Sequence, residues 1–187
     1  MSRTLRHAQD TLIIREEDPQ DDGVRTAIRS INEAAFGRPE EADLIDRLRG
    51  ERVILLSLIA ESGQQIIGHI LFTRIAIEKN SCSVPAVALA PVAVQPAYQR
   101  QGIGERLIRE GLDLLRERNE KIVIVLGHPN YYPRFGFSKE KAEPLVSPFP
   151  KDAFMALELR AGALDGASGR VKYPPAFGLS SEFTKIK

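Results

Sequence analysis

The 187-residue chain has a single cysteine, Cys82. With one cysteine no internal disulfide framework can form, which excludes the small secreted domains that depend on one. A lone cysteine is more often a small packed side chain than a nucleophile, so Cys82 is expected to pack inside the fold. The length suits one domain, with or without extensions, and allows a sizeable core.

Long apolar runs and a charge imbalance are also missing. No run approaches the length of a membrane-spanning helix, and residues 1–10, MSRTLRHAQD, lack the apolar core of a signal peptide. Lys and Arg number 26 against 25 Asp and Glu, without the basic excess typical of nucleic-acid binding. The sequence therefore predicts a cytoplasmic protein with no membrane or nucleic-acid partner and no metal site. Residues 1–10 are expected to be a flexible tail before a single domain at 11–187.

Apolar periodicity along the chain alternates between the spacing of helices and that of strands. Three segments have helical spacing, at 24–36, 40–49 and 102–118. Strands are predicted at 11–17, 52–61, 65–77, 86–94, 121–127 and 154–159, with a last one near Val171. SCSVP, at 81–85, reads as a turn. This order predicts an α/β fold, with a mixed sheet, helices on its faces, and a C-terminal extension from about residue 161.

Two glycines, Gly102 and Gly104, stand where the longest predicted helix begins. The first N–H groups of a helix have no intrahelical partner and lie at the positive end of its dipole, so they attract phosphate. Glycine also removes the Cβ atoms that would hold an anion away from the backbone. For two isolated glycines, a tight turn without a ligand is the commoner explanation.

Neighbouring side chains exclude the two common nucleotide sites. A P-loop has lysine after its last glycine, where Glu105 stands here. A dinucleotide-binding turn has a small residue where Leu107 stands.

Pro91 lies inside the predicted strand 86–94 and cannot donate to a ladder, so it marks an edge, a bulge or a parting of strands. A parting would leave backbone groups of residues 92–94 open to an extended ligand that carries amides. Coenzyme A carries both amides and a pyrophosphate.

The stretch PVAVQPAYQRQGIGERLI resembles the acyl-CoA-binding motif of the GNAT superfamily of N-acetyltransferases. Its hallmark, Gln or Arg, two residues, Gly, one residue, Gly or Ala, corresponds to Gln99, Gly102 and Gly104. YYPRFGF, at 131–137, resembles the later motif of the family. The resemblance runs from about residue 11 to 160, and GHPNYYPRFGF with YPPAF is similar to a poorly characterised bacterial subgroup. It implies a central, mostly antiparallel sheet with a parallel, splayed pair of strands and helices on both faces.

The resemblance also implies acetyl-CoA as cosubstrate. Backbone N–H groups in the glycine loop would hold the pyrophosphate, which assigns cofactor contacts to Gln99, Arg100, Gln101, Gly102, Ile103, Gly104 and Glu105. Val92, Ala93 and Val94 match the strand that pairs with the pantetheine arm. For Arg100, a solvated surface side chain is an equally good explanation.

The implied reaction is transfer of an acetyl group to a primary amine by direct attack in a ternary complex. A backbone N–H near residue 94 would stabilise the oxyanion. Tyr132 matches the acid of the family, would protonate the departing sulfur and would contact the cofactor. The alternative for Tyr132 is a packing role against RFGF, the role also expected of Tyr131.

The strand on which the family often carries a base has no titratable residue in its AVALA segment. Glu33, His69 and His128 are the candidate bases. The sequence thus predicts an N-acetyltransferase for a small-molecule or peptide amine, acting as a monomer or homodimer. The alternative is a non-catalytic acyl-CoA-binding module with a regulatory or interaction role.

Overall fold

The computed structural model describes residues 11–80 and 82–179. The tail predicted at 1–10 lies outside these ranges. The elements, in chain order, are β1 (Leu12–Glu16), α1 (Asp22–Phe36), α2 (Glu40–Gly50), β2 (Ile54–Ser62), β3 (Gln65–Lys79), β4 (Cys82–Val94), α3 (Ile103–Glu117), β5 (Ile122–Leu126), α4 (Lys139–Ala142), β6 (Leu145–Val146), β7 (Phe154–Glu158) and β8 (Gly169–Lys172).

The strands form one eight-stranded sheet with the main order β1-β2-β3-β4-β5-β7. Neighbours along this order are antiparallel except β4 and β5, which run parallel. The short strand β8 pairs with β3 and, in parallel, with β6. The predicted mixed α/β fold with one parallel pair among mostly antiparallel strands is confirmed.

Helices cover both faces of the sheet because its central strands are apolar on both sides. In β2, Leu58 belongs to the core formed with α3, whereas the next residue, Ile59, belongs to the core formed with α1 and α2. The apolar stripe of α3 supplies Ile103, Leu107, Ile108, Leu112 and Leu115, all buried. No helix in the described ranges is long and apolar enough to cross a bilayer.

The parallel pair β4–β5 separates near Pro91, as predicted. Pairing with β5 covers only Val87–Leu89 on β4, whereas pairing with β3 continues to Val94. The β3–β4 register shifts between Ile70 and Phe72, opposite the proline. A gap therefore opens between β4 and the end of β5, beside the turn that leads into α3.

Two expectations about the start of β4 were wrong. Of the turn predicted at 81–85, residues 82–85 instead lie in β4 and pair with β3 as far as Cys82 opposite Lys79. Pro85 is tolerated there because β5 does not reach it, so this part of β4 has an open edge. Cys82 is exposed rather than packed, because it lies at the end of this strand.

The segment after residue 161 returns to the sheet. β8 pairs with Ala76–Glu78 of β3, which confirms the strand predicted near Val171. Beyond it, Arg47 of α2 donates to the carbonyl of Ala176 across 3.0 Å. These contacts bring Tyr173 and Phe177 close to α2.

Candidate active site

The turn into α3 presents a row of backbone N–H groups. Gly102 lies directly before the helix with φ of +82° and no side chain capping the helix. Arg106 is the first residue to donate along the helix, to the Gly102 carbonyl across 3.0 Å. Within residues 11–80 and 82–179, no group accepts from the N–H groups of residues 100–105. These donors can bind an anion.

Gly104 joins this turn to the end of β4. A Cβ atom at Gly104 would lie 3.6 Å from the Tyr131 hydroxyl and 3.8 Å and 3.9 Å from the methyl groups of Val94 and Val92. Because Gly104 has no side chain, the start of α3 and the end of β4 form one continuous surface.

Residues 92–94 of β4 do not all face the gap. Gln95 donates its N–H to Ile67 of β3 across 2.9 Å, and strand alternation then directs the backbone of Ala93 to β3 as well. Val92 and Val94 face the other way, toward the gap beyond β5. The Gln99 side chain occupies the Val94 carbonyl, donating to it across 3.0 Å. The alternation disfavours Ala93 as a backbone contact for a ligand.

The remaining predicted cofactor contacts surround the turn but differ in what they present. Arg100 and Gln101 are exposed, and Gln101 donates its side-chain amide to the Ala97 carbonyl across 3.2 Å. The Ile103 side chain is buried in the core, so only its backbone faces the turn. Glu105 is ion-paired with Arg109 at 2.8 Å.

A cavity of about 510 Å³ lies at the gap. On the sheet side it is lined by residues 88–92 of β4 and by the end of β5 with Gly127 and His128. On the opposite side it is lined by Phe36, Glu41 and Leu44 of α1 and α2. Tyr131, Tyr132, Phe149, Tyr173 and Phe177 complete the wall.

Tyr132 is held in place by packing on several sides. A Cβ on Gly127 would lie 2.0 Å from the Tyr132 ring, so the glycine is what allows the ring to rest on the backbone after β5. The edges of Tyr131 and Phe137 contact it, with centroids 5.3 Å and 5.7 Å away. Burial raises the pKa of Tyr132 to about 12, with a smaller effect from Tyr131, so the hydroxyl carries its proton at neutral pH.

The three candidate bases lie in different surroundings. His128 is exposed and lines the cavity with Tyr132. Glu33 is ion-paired with Arg29 at 2.9 Å and is not among the residues that line the cavity. His69 is completely buried. The structure therefore brings only His128 together with Tyr132. No group of three or more potential metal ligands is found in the described ranges.

Sequence and structure comparisons agree with this geometry. A family profile described as an acetyltransferase (GNAT) domain matches residues 19–139. The chain belongs to the GNAT family. This membership confirms the predicted family and the N-acetyltransferase class.

Relatives of this GNAT chain include two Escherichia coli proteins called uncharacterized N-acetyltransferases. YjhQ is 42% identical over 67% of this chain and 72% of its own length. YhbS is 32% identical over 89% of this chain and 98% of its own. The YhbS structure in complex with CoA has a TM-score of 0.83 and covers 92% of this chain and 94% of that one. A Brucella melitensis GNAT acetyltransferase in complex with acetyl-CoA has a TM-score of 0.72 and 36% identity, and the match covers 90% and 99%.

The one carboxylate among the described residues that line the cavity was not singled out from the sequence. Glu41 lies in the first turn of α2, lines the cavity, and has a side chain that is only 16% exposed. Its setting in the run EEADL is typical of a solvated helix face, so no local signal marks it. Glu41 belongs to the cavity wall because α2 packs against the gap, which is a tertiary contact.

His69 sits in a hydrogen-bonded network, which explains why it is buried. The Asn32 amide nitrogen donates to the Ile28 carbonyl at 2.8 Å and lies 3.3 Å from His69 Nδ1, so Nδ1 is an acceptor. Ser57 Oγ donates to Glu17 at 2.9 Å and lies 3.0 Å from His69 Nε2, which therefore carries the proton. A second proton on His69 would face an amide donor. Burial, together with the charge of Arg49, lowers the pKa of His69 to about 3, which disfavours it as a catalytic base.

This network predicts a pH dependence of stability. His69 is neutral in the fold but has an ordinary pKa of about 6.5 when unfolded, so protonation favours the unfolded chain. The stabilisation is complete above pH of about 6.5 and is lost as the pH falls toward about 3, at up to about 1.4 kcal/mol per pH unit. We expect urea unfolding of His69→Gln between pH 7 and 4.5 to show a shallower decline than wild type, whatever its starting stability. His128→Gln, at an exposed site, is the control, and parallel declines for wild type and His69→Gln would contradict the assignment.

Proposed function

We propose that this protein transfers the acetyl group of acetyl-CoA to a primary amine by direct attack within a ternary complex. The observation that carries the proposal is the gap beyond Leu89, which joins a row of unpaired backbone N–H groups to a cavity containing Tyr132. The CoA and acetyl-CoA complexes of two homologues with the same fold support this choice of ligand.

The cofactor would bind along the turn and the strand. The N–H groups of residues 100–105 would hold the pyrophosphate, and Gly104 would let it approach the end of β4. The pantetheine arm would lie along Val92 and Val94 as a surrogate strand. Its amide would replace the Gln99 side chain as donor to the Val94 carbonyl.

The thioester would then lie in the cavity. As the amine nitrogen bonds to the thioester carbon, the carbonyl oxygen becomes an oxyanion, which the Val92 N–H would stabilise because Val92 lines the cavity and faces the gap. This places the oxyanion donor two residues before the expected position near Val94. The amine proton would pass to His128, and cleavage of the carbon–sulfur bond would release a thiolate next to the Tyr132 hydroxyl.

The proposal predicts that binding depends on the phosphates. Coenzyme A is expected to raise the melting temperature clearly more than pantetheine at the same concentration, because only coenzyme A reaches the turn before α3. Thermal unfolding with each ligand measures this. Equal shifts would place the main site in the strand groove and contradict the phosphate assignment.

Catalysis is tested by incubating acetyl-CoA with a panel of primary amines and following thiol release with product detection by mass. Acetylated amine with a matching amount of free thiol is the expected result. Binding of acetyl-CoA without transfer to any amine would instead identify a non-catalytic acyl-CoA-binding module.

A further inference from the structure

The cavity continues away from β4 into an aromatic wall. Tyr173 contacts both Phe149 and Phe177 there, with centroid separations of 5.5 Å and 5.0 Å. Phe149 precedes β7, and the other two follow β8, so this wall depends on the C-terminal segment. These side chains line the same cavity as Val92 and Tyr132, so an acceptor that reaches the proposed thioester would contact them.

The mouth of the cavity is apolar as well. Phe36 is 39% exposed and Leu126 is 43% exposed, and both line the cavity. They are two of only five large apolar side chains that remain exposed in the part of the chain described. These two side chains add apolar surface to the cavity that an apolar ligand body can contact.

A single carboxylate, that of Glu41, lines this cavity within the described residues. Its oxygens accept from Arg38 Nε at 3.1 Å and from Arg38 Nη2 at 2.5 Å. The arginine side chain is 59% exposed and thus approaches from the solvent side, whereas that of Glu41 is 16% exposed. Each carboxylate oxygen can accept a further hydrogen bond, which leaves Glu41 able to bind an ammonium group inside the cavity.

We infer that the acceptor is a monoamine with an apolar, aromatic or branched aliphatic body. The body would rest on Phe149, Tyr173 and Phe177. The ammonium group would bind Glu41 and lose one proton to solvent, and the resulting amine would attack the thioester and pass its second proton to His128. A polyamine or aminosugar would bring several charges and hydroxyls to a wall that offers one carboxylate, leaving polar groups unpaired. The inference rests on the proposed acetyl transfer and adds the chemical class of the acceptor.

The substrate class is tested with 2-phenylethylamine, ethanolamine and spermidine at matched ionic strength. We expect kcat/KM for 2-phenylethylamine to exceed that for ethanolamine by about ten- to a hundred-fold, the effect of burying one phenyl ring. Phe36→Ser is expected to reduce that ratio, whereas Ile13→Ser, which removes an exposed apolar side chain from β1, leaves it unchanged. Equal or better use of ethanolamine or spermidine would overturn the inference.

The role of Glu41 is tested by a matched pair of variants. Glu41→Gln and Arg38→Gln each remove the same ion pair, but only Glu41→Gln removes the carboxylate from the cavity. Glu41→Gln is expected to raise KM for 2-phenylethylamine about ten-fold or more, while Arg38→Gln stays within about two-fold of wild type. Equal effects of the two variants would mean that the ion pair matters only for structure, and the contact with the amine would be rejected.

A binding measurement separates this inference from the proposed function. In the presence of coenzyme A, 2-phenylethylamine is expected to raise the melting temperature of wild type and Arg38→Gln but not of Glu41→Gln. If coenzyme A itself fails to stabilise the protein, the proposed function fails. If coenzyme A stabilises all three proteins equally and the amine adds nothing to wild type, only the acceptor class fails.

Discussion

Tyr132→Phe is expected to slow acetyl transfer by roughly ten- to a thousand-fold while acetyl-CoA affinity changes little. The substitution keeps the ring, which rests on Gly127 and packs against Phe137, and removes only the hydroxyl. The hydroxyl would interact with the sulfur chiefly as the thiolate forms, so its loss affects the transition state rather than binding.

The raised pKa of Tyr132 determines how the hydroxyl would act. A phenol with a pKa of about 12 is always protonated near neutral pH, so the donor is present in every molecule. An ordinary thiol has a pKa of about 8.5, so complete proton transfer from Tyr132 would be uphill by about 5 kcal/mol. The hydroxyl is therefore expected to stabilise the developing thiolate through a hydrogen bond, with solvent supplying the proton as the products separate. Loss of one such hydrogen bond agrees with the lower and middle part of the expected ten- to thousand-fold decrease in rate.

Tyr131→Phe is the matched control, because it removes a hydroxyl from the neighbouring ring. The Tyr131 hydroxyl lies near Gly104, and we assign it no contact with the reacting sulfur. We therefore expect Tyr131→Phe to change the rate of transfer only slightly. Single-turnover transfer measured against pH, with melting temperatures as a check on folding, distinguishes the two. Superimposable profiles for wild type and Tyr132→Phe would remove Tyr132 from the mechanism.

The sequence predicted those features of the fold around the site that depend only on neighbouring residues. Pro91 cannot donate to a ladder wherever it occurs in a strand, and the strands separate where it lies. The apolar stripe of α3 depends only on helical spacing, and its five apolar residues are buried. The turn expected at Gly102 is present, and the glycine adopts a left-handed conformation there.

The parts that depend on tertiary contact were not visible in the sequence. Glu41 lines the same cavity as Tyr132 only because α2 packs over the gap, and the run EEADL carries no sign of it. The sequence made His69 a candidate base because it does not show that Asn32 and Ser57, from two other segments, hydrogen-bond both ring nitrogens, or that Ser57 in turn donates to Glu17. Cys82 is exposed because β4 continues as an open edge beyond the reach of β5.

Gly102→Glu is expected to weaken acetyl-CoA binding by about a hundred-fold or more, in a protein that remains folded. The substitution places a carboxylate beside the N–H groups proposed to hold the pyrophosphate, so it both repels the phosphates and competes for their donors. Loss of two charge-assisted hydrogen bonds, at about 1.5 to 3 kcal/mol each, accounts for an effect of this size.

Backbone strain is the alternative cause and needs its own controls. Gly102 has φ of +82°, where any side chain costs about 1 to 2 kcal/mol, although a Cβ there meets no atom within 4 Å. Gly102→Ala has the same strain without the charge, and Gly166→Glu adds the same charged side chain at another open glycine with φ of +70°. Both are expected to lose stability. Gly166→Glu is expected to keep its affinity for acetyl-CoA, whereas Gly102→Ala adds a Cβ beside the phosphate site and is expected to lose far less affinity than Gly102→Glu. Arg118→Ala is a poorer control, because Arg118 donates to the Leu55 carbonyl at 3.0 Å and pairs with Glu16. Acetyl-CoA affinities are measured by calorimetry. If affinity falls equally for Gly102→Ala and Gly102→Glu, the effect comes from the shape of the turn. If wild type and Gly102→Glu bind equally well, this turn is not the phosphate site.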